Sequence, residues 1–260
     1  MVAPRAIVLR AAGINCDQES KSACEKAGFQ AEVLHVNRLM ERPGLLRDYH
    51  LMVVPGGFSY GDDLGAGKVL ANELKTRLLP ELREFVRAGK LILGICNGFQ
   101  VLVKAGILPD PFDDFPPRLT LANNDSGKYE DRWIHLKVSS VKSEFLKVEE
   151  ILELPVAHGE GKFLPSDPQA LKKWEQGGQV VLKYVDPEGR AAGHPWNPNG
   201  SVAGVAGICD PTGRVLGLMP HPERFQDALN HPQWTRRGKE IRPDGLKFFK
   251  NGWEYVKRNL

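Results

Sequence analysis

Lys90-Leu91-Ile92-Leu93-Gly94-Ile95-Cys96-Asn97-Gly98-Phe99-Gln100 compresses an apolar strand, a sharp turn and a cysteine into eleven residues. Leu91 to Ile95 run without polar alternation, the pattern of a strand covered on both faces in a parallel sheet. From Asn97 the period changes: Phe99, Val101, Leu102 and Ala105 recur at helical spacing, and Gly106 is placed to end that helix. Gly94 and Gly98 flank the cysteine two residues away on each side, giving Gly-x-Cys-x-Gly, the thiol counterpart of the Gly-x-Ser-x-Gly nucleophile elbow. A side chain at such a turn stands above the sheet at the N-terminus of the next helix, where the dipole and free N–H groups favour a thiolate. The alternative is a small buried core residue, the commoner fate of a cysteine after an apolar strand. A nucleophile needs partners elsewhere in the chain.

The strand pattern repeats upstream at Ala6–Leu9, Ala31–Val36 and Leu51–Val54. Between these lie a helical stretch over Asp17–Gly28 and a short polar and helical connection over Leu39–Asp48; Val69–Ala88 is a further helix, broken or restarted at Pro80. Strands alternating with helices predict an α/β fold, an open and mostly parallel sheet joined by right-handed crossovers. The glycine-rich run Pro55-Gly56-Gly57-Phe58-Ser59-Tyr60-Gly61-Asp62-Asp63-Leu64-Gly65-Ala66-Gly67 leaves the C-terminal end of a strand, the edge where such sheets bind ligands. It fails as a phosphate loop, because Gly67-Lys68 is followed by Val69 rather than Ser or Thr. An oxyanion-binding loop and a plain flexible loop remain open.

Beyond Gly106 the texture changes. Pro109–Pro117 reads as a surface loop, Arg118–Leu121 and Trp133–Val138 as strands, and polar Asn123–Arg132 between them as a turn and nothing more. Leu154–Ala157 leads into His158-Gly159-Glu160-Gly161-Lys162-Phe163; Asp167–Gln176 is a short helix and Gln179–Val185 a strand. Ser201–Asp210 and Arg214–Met219, joined at Pro211-Thr212-Gly213, read as a β-hairpin. The hairpin ends on Pro220-His221-Pro222-Glu223. In an extended segment His221 and Glu223 would point the same way, which suits a histidine oriented by a carboxylate and a base for a distant cysteine.

A chain of 260 residues with no Ser- or Pro-rich linker favours one domain, with a core over 5–226 and a basic C-terminal extension over 227–260 that carries a terminal helix. From His231 to Leu260 eight Lys or Arg stand against three Asp or Glu, read as a solvated basic helix face or a surface for an acidic partner. The overall net charge of +3 gives no case for nucleic acid, and no apolar run is long enough for a membrane span. Cys16, Cys24, Cys96 and Cys209 are widely spaced, with neither a Cys-x-x-Cys pair nor zinc-ligand spacing, so free thiols in the cytoplasm are expected and no metal.

Gly94-Ile95-Cys96-Asn97-Gly98-Phe99-Gln100 together with Pro220-His221-Pro222-Glu223 resembles the elbow and His-x-Glu pair of class I, triad-type glutamine amidotransferases. Asn15-Cys16-Asp17, Gly56–Asp62, Tyr129–Trp133 and Ala157–Gly161 are further similar to the family of glutaminase subunits of phosphoribosylformylglycinamidine synthase, an enzyme of de novo purine synthesis. The resemblance implies a flavodoxin-like sheet, Cys96, His221 and Glu223 as catalytic triad, and Gly56, Gly57, Asn97 and Gln100 as oxyanion and substrate-binding residues. It implies glutamine as substrate, no cofactor in this chain, and a large synthetase subunit as partner, with ATP and Mg there and a small third subunit as a further candidate. The loops beside the site, His158–Lys162 among them, are the expected partner surface. A stand-alone cysteine hydrolase, a non-catalytic subunit on the same fold, and an amidotransferase subunit of another pathway are the competing readings.

Overall fold

Strands with no solvent face have no place for polar side chains, and the apolar runs of the N-terminal half form such strands. In the computed structural model, which describes residues 3–110 and 118–260, β1 (Arg5–Arg10), β3 (Leu51–Val54) and β4 (Leu91–Ile95) are the buried centre, and β2 (Gln30–His35), half exposed, is the edge. The connections are α1 (Asp17–Ala27), α2 (Val36–Glu41), α3 (Lys68–Arg77), α4 (Leu79–Arg87) and, after the elbow, α5 (Asn97–Lys104). The break between α3 and α4 falls at Leu78, with Pro80 in the first turn of α4, where its missing N–H costs nothing.

The C-terminal half supplies β5 (Leu119–Ala122), β6 (Glu130–Val138), β7 (Ile151–His158), β8 (Lys162–Pro165), α6 (Pro168–Gln176), β9 (Val180–Val185), β10 (Val205–Cys209), β11 (Val215–Leu218), α7 (Trp234–Arg237) and α8 (Gly245–Asn259). One sheet runs β2-β1-β3-β4-β11-β10-β9-β6-β7. Its first five strands are mutually parallel, which is the flavodoxin-like order with β11 as fifth strand and the switch point between β1 and β3. From β11 onward the pairing is antiparallel, and β5 pairs with β8 in a separate ribbon. The expected hairpin is β10–β11, and its return strand β11 closes the parallel half against β4.

Three expectations change. Asn123–Arg132 is more than a turn: β6 begins at Glu130, and Asn124 is buried with a full set of hydrogen bonds. His221 and Glu223 are not in extended backbone, because Pro222–Arg224 is a single 3₁₀ turn. The C-terminal helix α8 is no solvated face alone: Phe248 and Phe249 are fully buried and belong to the one continuous core. The surface loop expected at Pro109–Pro117 lies for the most part outside the described residues.

Candidate active site

The elbow forms because β4 gives way to α5 with only Cys96 between them. Cys96 takes φ 51° and ψ −106°, and its N–H is anchored to the Leu218 carbonyl at 2.8 Å. A positive φ on such a residue costs on the order of 1–3 kcal/mol and persists only where the surroundings dictate it. The two glycines make that possible: a Cβ on Gly98 would stand 1.8 Å from the Val54 carbonyl oxygen, and one on Gly94 2.9 Å from that of Gly98. The Cys96 sulfur emerges at the N-terminus of α5, nearly buried, 3.7 Å from the Ala157 carbonyl oxygen.

His221 leaves β11 with its N–H donated to Pro155 of β7 at 2.8 Å. The 3₁₀ turn then folds Glu223 back, so that Nδ1 and Oε1 are 2.6 Å apart with both side chains buried. Proline and a tight turn thus bring about what strand alternation would have done. Burial opposes a charged imidazole here, but the Glu223 carboxylate and then the charge of Cys96 outweigh it, and the pKa of His221 is held well above the ordinary histidine value. With Nδ1–H given to Glu223, Nε2 is the nitrogen left for proton transfer, and it has no hydrogen-bond partner.

The loops after β1 and β3 meet at the switch point. Phe58 N–H donates to Gly13 at 2.8 Å, and the N–H groups of Asn15 and Cys16 converge on the Gly56 carbonyl at 3.4 and 3.3 Å. Gly57 has φ +143°, and a Cβ there would meet the Gly13 oxygen at 2.7 Å. The Asn97 side chain ties the glycine-rich loop to the elbow: Oδ1 accepts from Ser59 N–H at 3.2 Å, and Nδ2 donates to Asp62 at 3.1 Å and Gln100 at 3.0 Å. Gln100 in turn donates to the Glu160 carbonyl. Asn97 therefore faces the site with its backbone N–H, which no helical bond satisfies in the first turn of α5, while the Gln100 amide braces the 158–161 segment.

A cavity of about 460 Å³ opens over the sulfur, lined by Gly57, Phe58, Cys96, Gln100, Tyr129 and His158. A larger one of about 960 Å³ lies across Lys104, but its described lining holds neither cysteine nor histidine, so the chemistry belongs to the smaller. His158 points inward rather than toward a partner. Its Nδ1 is 3.1 Å from Asn124 Oδ1, and a Cβ on Gly161 would come within 2.3 Å of the imidazole, so glycine there makes room for the ring. Burial first, and the charge of His221 second, push the pKa of His158 down to about 4 and keep the ring neutral. Asn124 and His158 are parts of the site that the residues alone did not single out or placed elsewhere; a lone polar residue in a polar stretch carries no periodicity that would mark it.

A mostly parallel sheet that carries a strained cysteine elbow, a buried His–Glu pair and a glycine-rich loop at its switch point is the arrangement expected of a glutamine amidotransferase. The CobB/CobQ-like glutamine amidotransferase domain matches residues 3–256. Phosphoribosylformylglycinamidine synthase subunit PurQ of Dehalococcoides mccartyi is 44% identical over 98% of this chain and 98% of its own length, and that of Methanococcus maripaludis 41% identical over 98% and 99%. In the structure of PurLQS from Thermotoga maritima, one chain superposes with TM-score 0.74 at 34% identity, covering 98% of this chain and all of that one. The chain belongs to the CobB/CobQ-like glutamine amidotransferase family, in the branch of the phosphoribosylformylglycinamidine synthase PurQ subunits.

Proposed function

We propose that this chain hydrolyses glutamine with Cys96, His221 and Glu223 and delivers the ammonia to the synthetase subunit of phosphoribosylformylglycinamidine synthase. The observation that carries the reading is the strained Cys96 at a helix N-terminus, within the electrostatic reach of a buried His221–Glu223 pair whose nitrogen and oxygen are 2.6 Å apart. Cys96 thiolate attacks the side-chain amide carbon, and the backbone N–H groups of Gly57 and Asn97 receive the oxyanion; losing one such donor costs roughly 3 kcal/mol of barrier. His221 Nε2 protonates the departing nitrogen, the C–N bond breaks, and ammonia leaves a γ-glutamyl thioester on Cys96. Water, deprotonated by the now neutral His221, attacks the thioester; the C–S bond breaks and glutamate departs. Glu223 holds the tautomer throughout.

Ammonia released into water would be protonated and lost as a nucleophile, so the cavity mouth is the place for the partner. Phe58 and Tyr129, their rings stacked with centroids 6.2 Å apart, stand half exposed on its rim. Together with Gly159, Glu160 and Lys162 they form the surface we assign to the synthetase subunit, where ATP and Mg act on phosphoribosylformylglycinamide. No cofactor is assigned to this chain. Among the described residues no helix is long and apolar enough to cross a membrane; four free thiols and an ATP-using partner support the cytoplasm.

The test is reconstitution with the synthetase subunit. Cys96→Ala abolishes product formation from glutamine and leaves formation from ammonium salts intact. Loss of both activities in an assembled complex would show that the chemistry lies elsewhere.

A further inference from the structure

Cys16 takes no part in the reaction described above, yet its sulfur lies against the base. It is fully buried at the N-cap of α1, and one donor atom each of Cys16, His221 and Glu223 lie within 4.8 Å of one another. The sulfur accepts a hydrogen bond from Arg224 Nη2 at 3.0 Å and lies 3.2 Å from Asn15 Oδ1. Gly56 closes the group: a Cβ there would stand 2.7 Å from His221 Cε1, 3.3 Å from Nδ1 and 3.3 Å from the Cys16 sulfur. The Cys16 N–H meanwhile bonds the Gly56 carbonyl at 3.3 Å. One residue therefore touches the oxyanion loop through its backbone and the base through its side chain. The cation that completes the cluster is the guanidinium of Arg224.

We propose that Cys16 is a positioning residue for the catalytic base: its sulfur, anchored by Arg224, packs beside the His221 imidazole and holds it to the Gly56–Gly57 loop. This rests on the reading of Cys96 and His221 as nucleophile and base. Two electrostatic effects support the geometry. Burial opposes the charge of Arg224, but Cys16 outweighs it and raises the Arg224 pKa. The nearness of the Cys16 sulfur likewise adds to the proton affinity of His221. The other ionisable groups coupled to His221 are Glu223 on its own turn, Cys96 on the elbow, His158 at the end of β7 and Tyr129 before β6, while Arg224 acts on the Cys16 sulfur. Replacing Cys16 removes its own contact and the acceptor of Arg224, and leaves the others in place.

The experiment uses the full chain in complex with the synthetase subunit and follows kcat and KM for glutamine against pH, with ammonia-dependent synthesis as internal control. Without the sulfur, His221 loses its proton at lower pH. Cys16→Ala therefore moves the alkaline limb of kcat/KM for glutamine to lower pH. It lowers kcat with KM within about twofold of wild type, because Cys16 does not line the cavity. Cys16→Ser, which keeps a small acceptor for Arg224, restores part of the limb, and serves alone if the alanine variant does not fold. An unmoved limb in the serine and alanine variants, or a loss confined to KM, overturns the proposal. If wild type itself makes no product from glutamine while using ammonia, the parent reading fails instead.

Discussion

Cys96 holds a backbone conformation that only its neighbours make tenable, and Gly98 is the neighbour with least freedom to change. Any Cβ at Gly98 overlaps the Val54 carbonyl at 1.8 Å, and backbone on β3 cannot move aside as a flexible side chain would. Gly98→Ala is expected to cost about 3 kcal/mol or more, a fall in Tm of roughly 6 °C or more for a chain of this size. It also lowers glutaminase activity more than the lost stability explains, since the strain releases through φ of Cys96. A thermal melt together with kcat at a temperature where both proteins are folded checks this; an unchanged melt would mean that the elbow is looser than its contacts indicate. Gly94, Cys96 and Gly98 were legible in the sequence because a sharp turn needs glycine at fixed offsets. His221 and Glu223 were legible as residues but not as geometry, since Pro222 makes a 3₁₀ turn where alternation would require a strand. Asn124 and Arg224 were not legible at all: their roles depend on loops brought together from 34 residues away for Asn124–His158 and 208 for Arg224–Cys16.

Among the elements, the parallel half was readable because β1, β3 and β4 are apolar without interruption, and their flanking helices have clear periodicity. The antiparallel extension was only partly readable. Strand β6 begins with Glu130, Asp131 and Arg132, three charged residues that composition assigns to a turn; Glu130 is nonetheless buried, bonded by Ser126 at 2.7 Å and paired with Arg132. The terminal helix shows the same limit in reverse. Its charge excess is real, but α8 packs on α1 and buries Phe248, Phe249, Tyr255 and Val256, while Asp244 accepts the Glu153 N–H of β7 at 3.0 Å. Lys257 and Arg258 near its C-terminus sit where the helix dipole favours cations. Phe248→Ala should therefore cost about 3–5 kcal/mol, the value for emptying a core phenylalanine site. Urea titration reads this directly, and a loss below about 1 kcal/mol would restore the reading of a solvated basic helix face.

Over the whole molecule, the two buried histidines of the site impose opposite dependences on pH, in separate windows. His221 has a raised pKa in the folded protein, so its contribution is complete below the unfolded value of about 6.5 and is lost as pH rises through the folded value. His158 is the reverse, because burial and the charge of His221 push it down to about 4. Between roughly pH 6.5 and 4 the unfolded chain binds a proton at this position that the folded chain refuses, so stability falls as pH falls. Over the interval from pH 6.5 to 5, that is on the order of 2 kcal/mol, or a loss of roughly 4–8 °C in Tm. His221 stays protonated in the folded state there and adds only a small slope of opposite sign near pH 6.5, where its unfolded form still takes up a proton, whereas His50, lowered by burial and by Lys90, adds a smaller one of the same sign as His158. The comparison that isolates His158 is with His158→Gln, which keeps a polar group beside Asn124 and has nothing to titrate. Its Tm should change less than that of wild type across this interval, with the curves converging toward pH 5. Parallel curves would show that the His158 ring takes up its proton inside the fold, which would place a second positive charge beside Cys96 in acid and require a different account of how the cavity is kept neutral for glutamine.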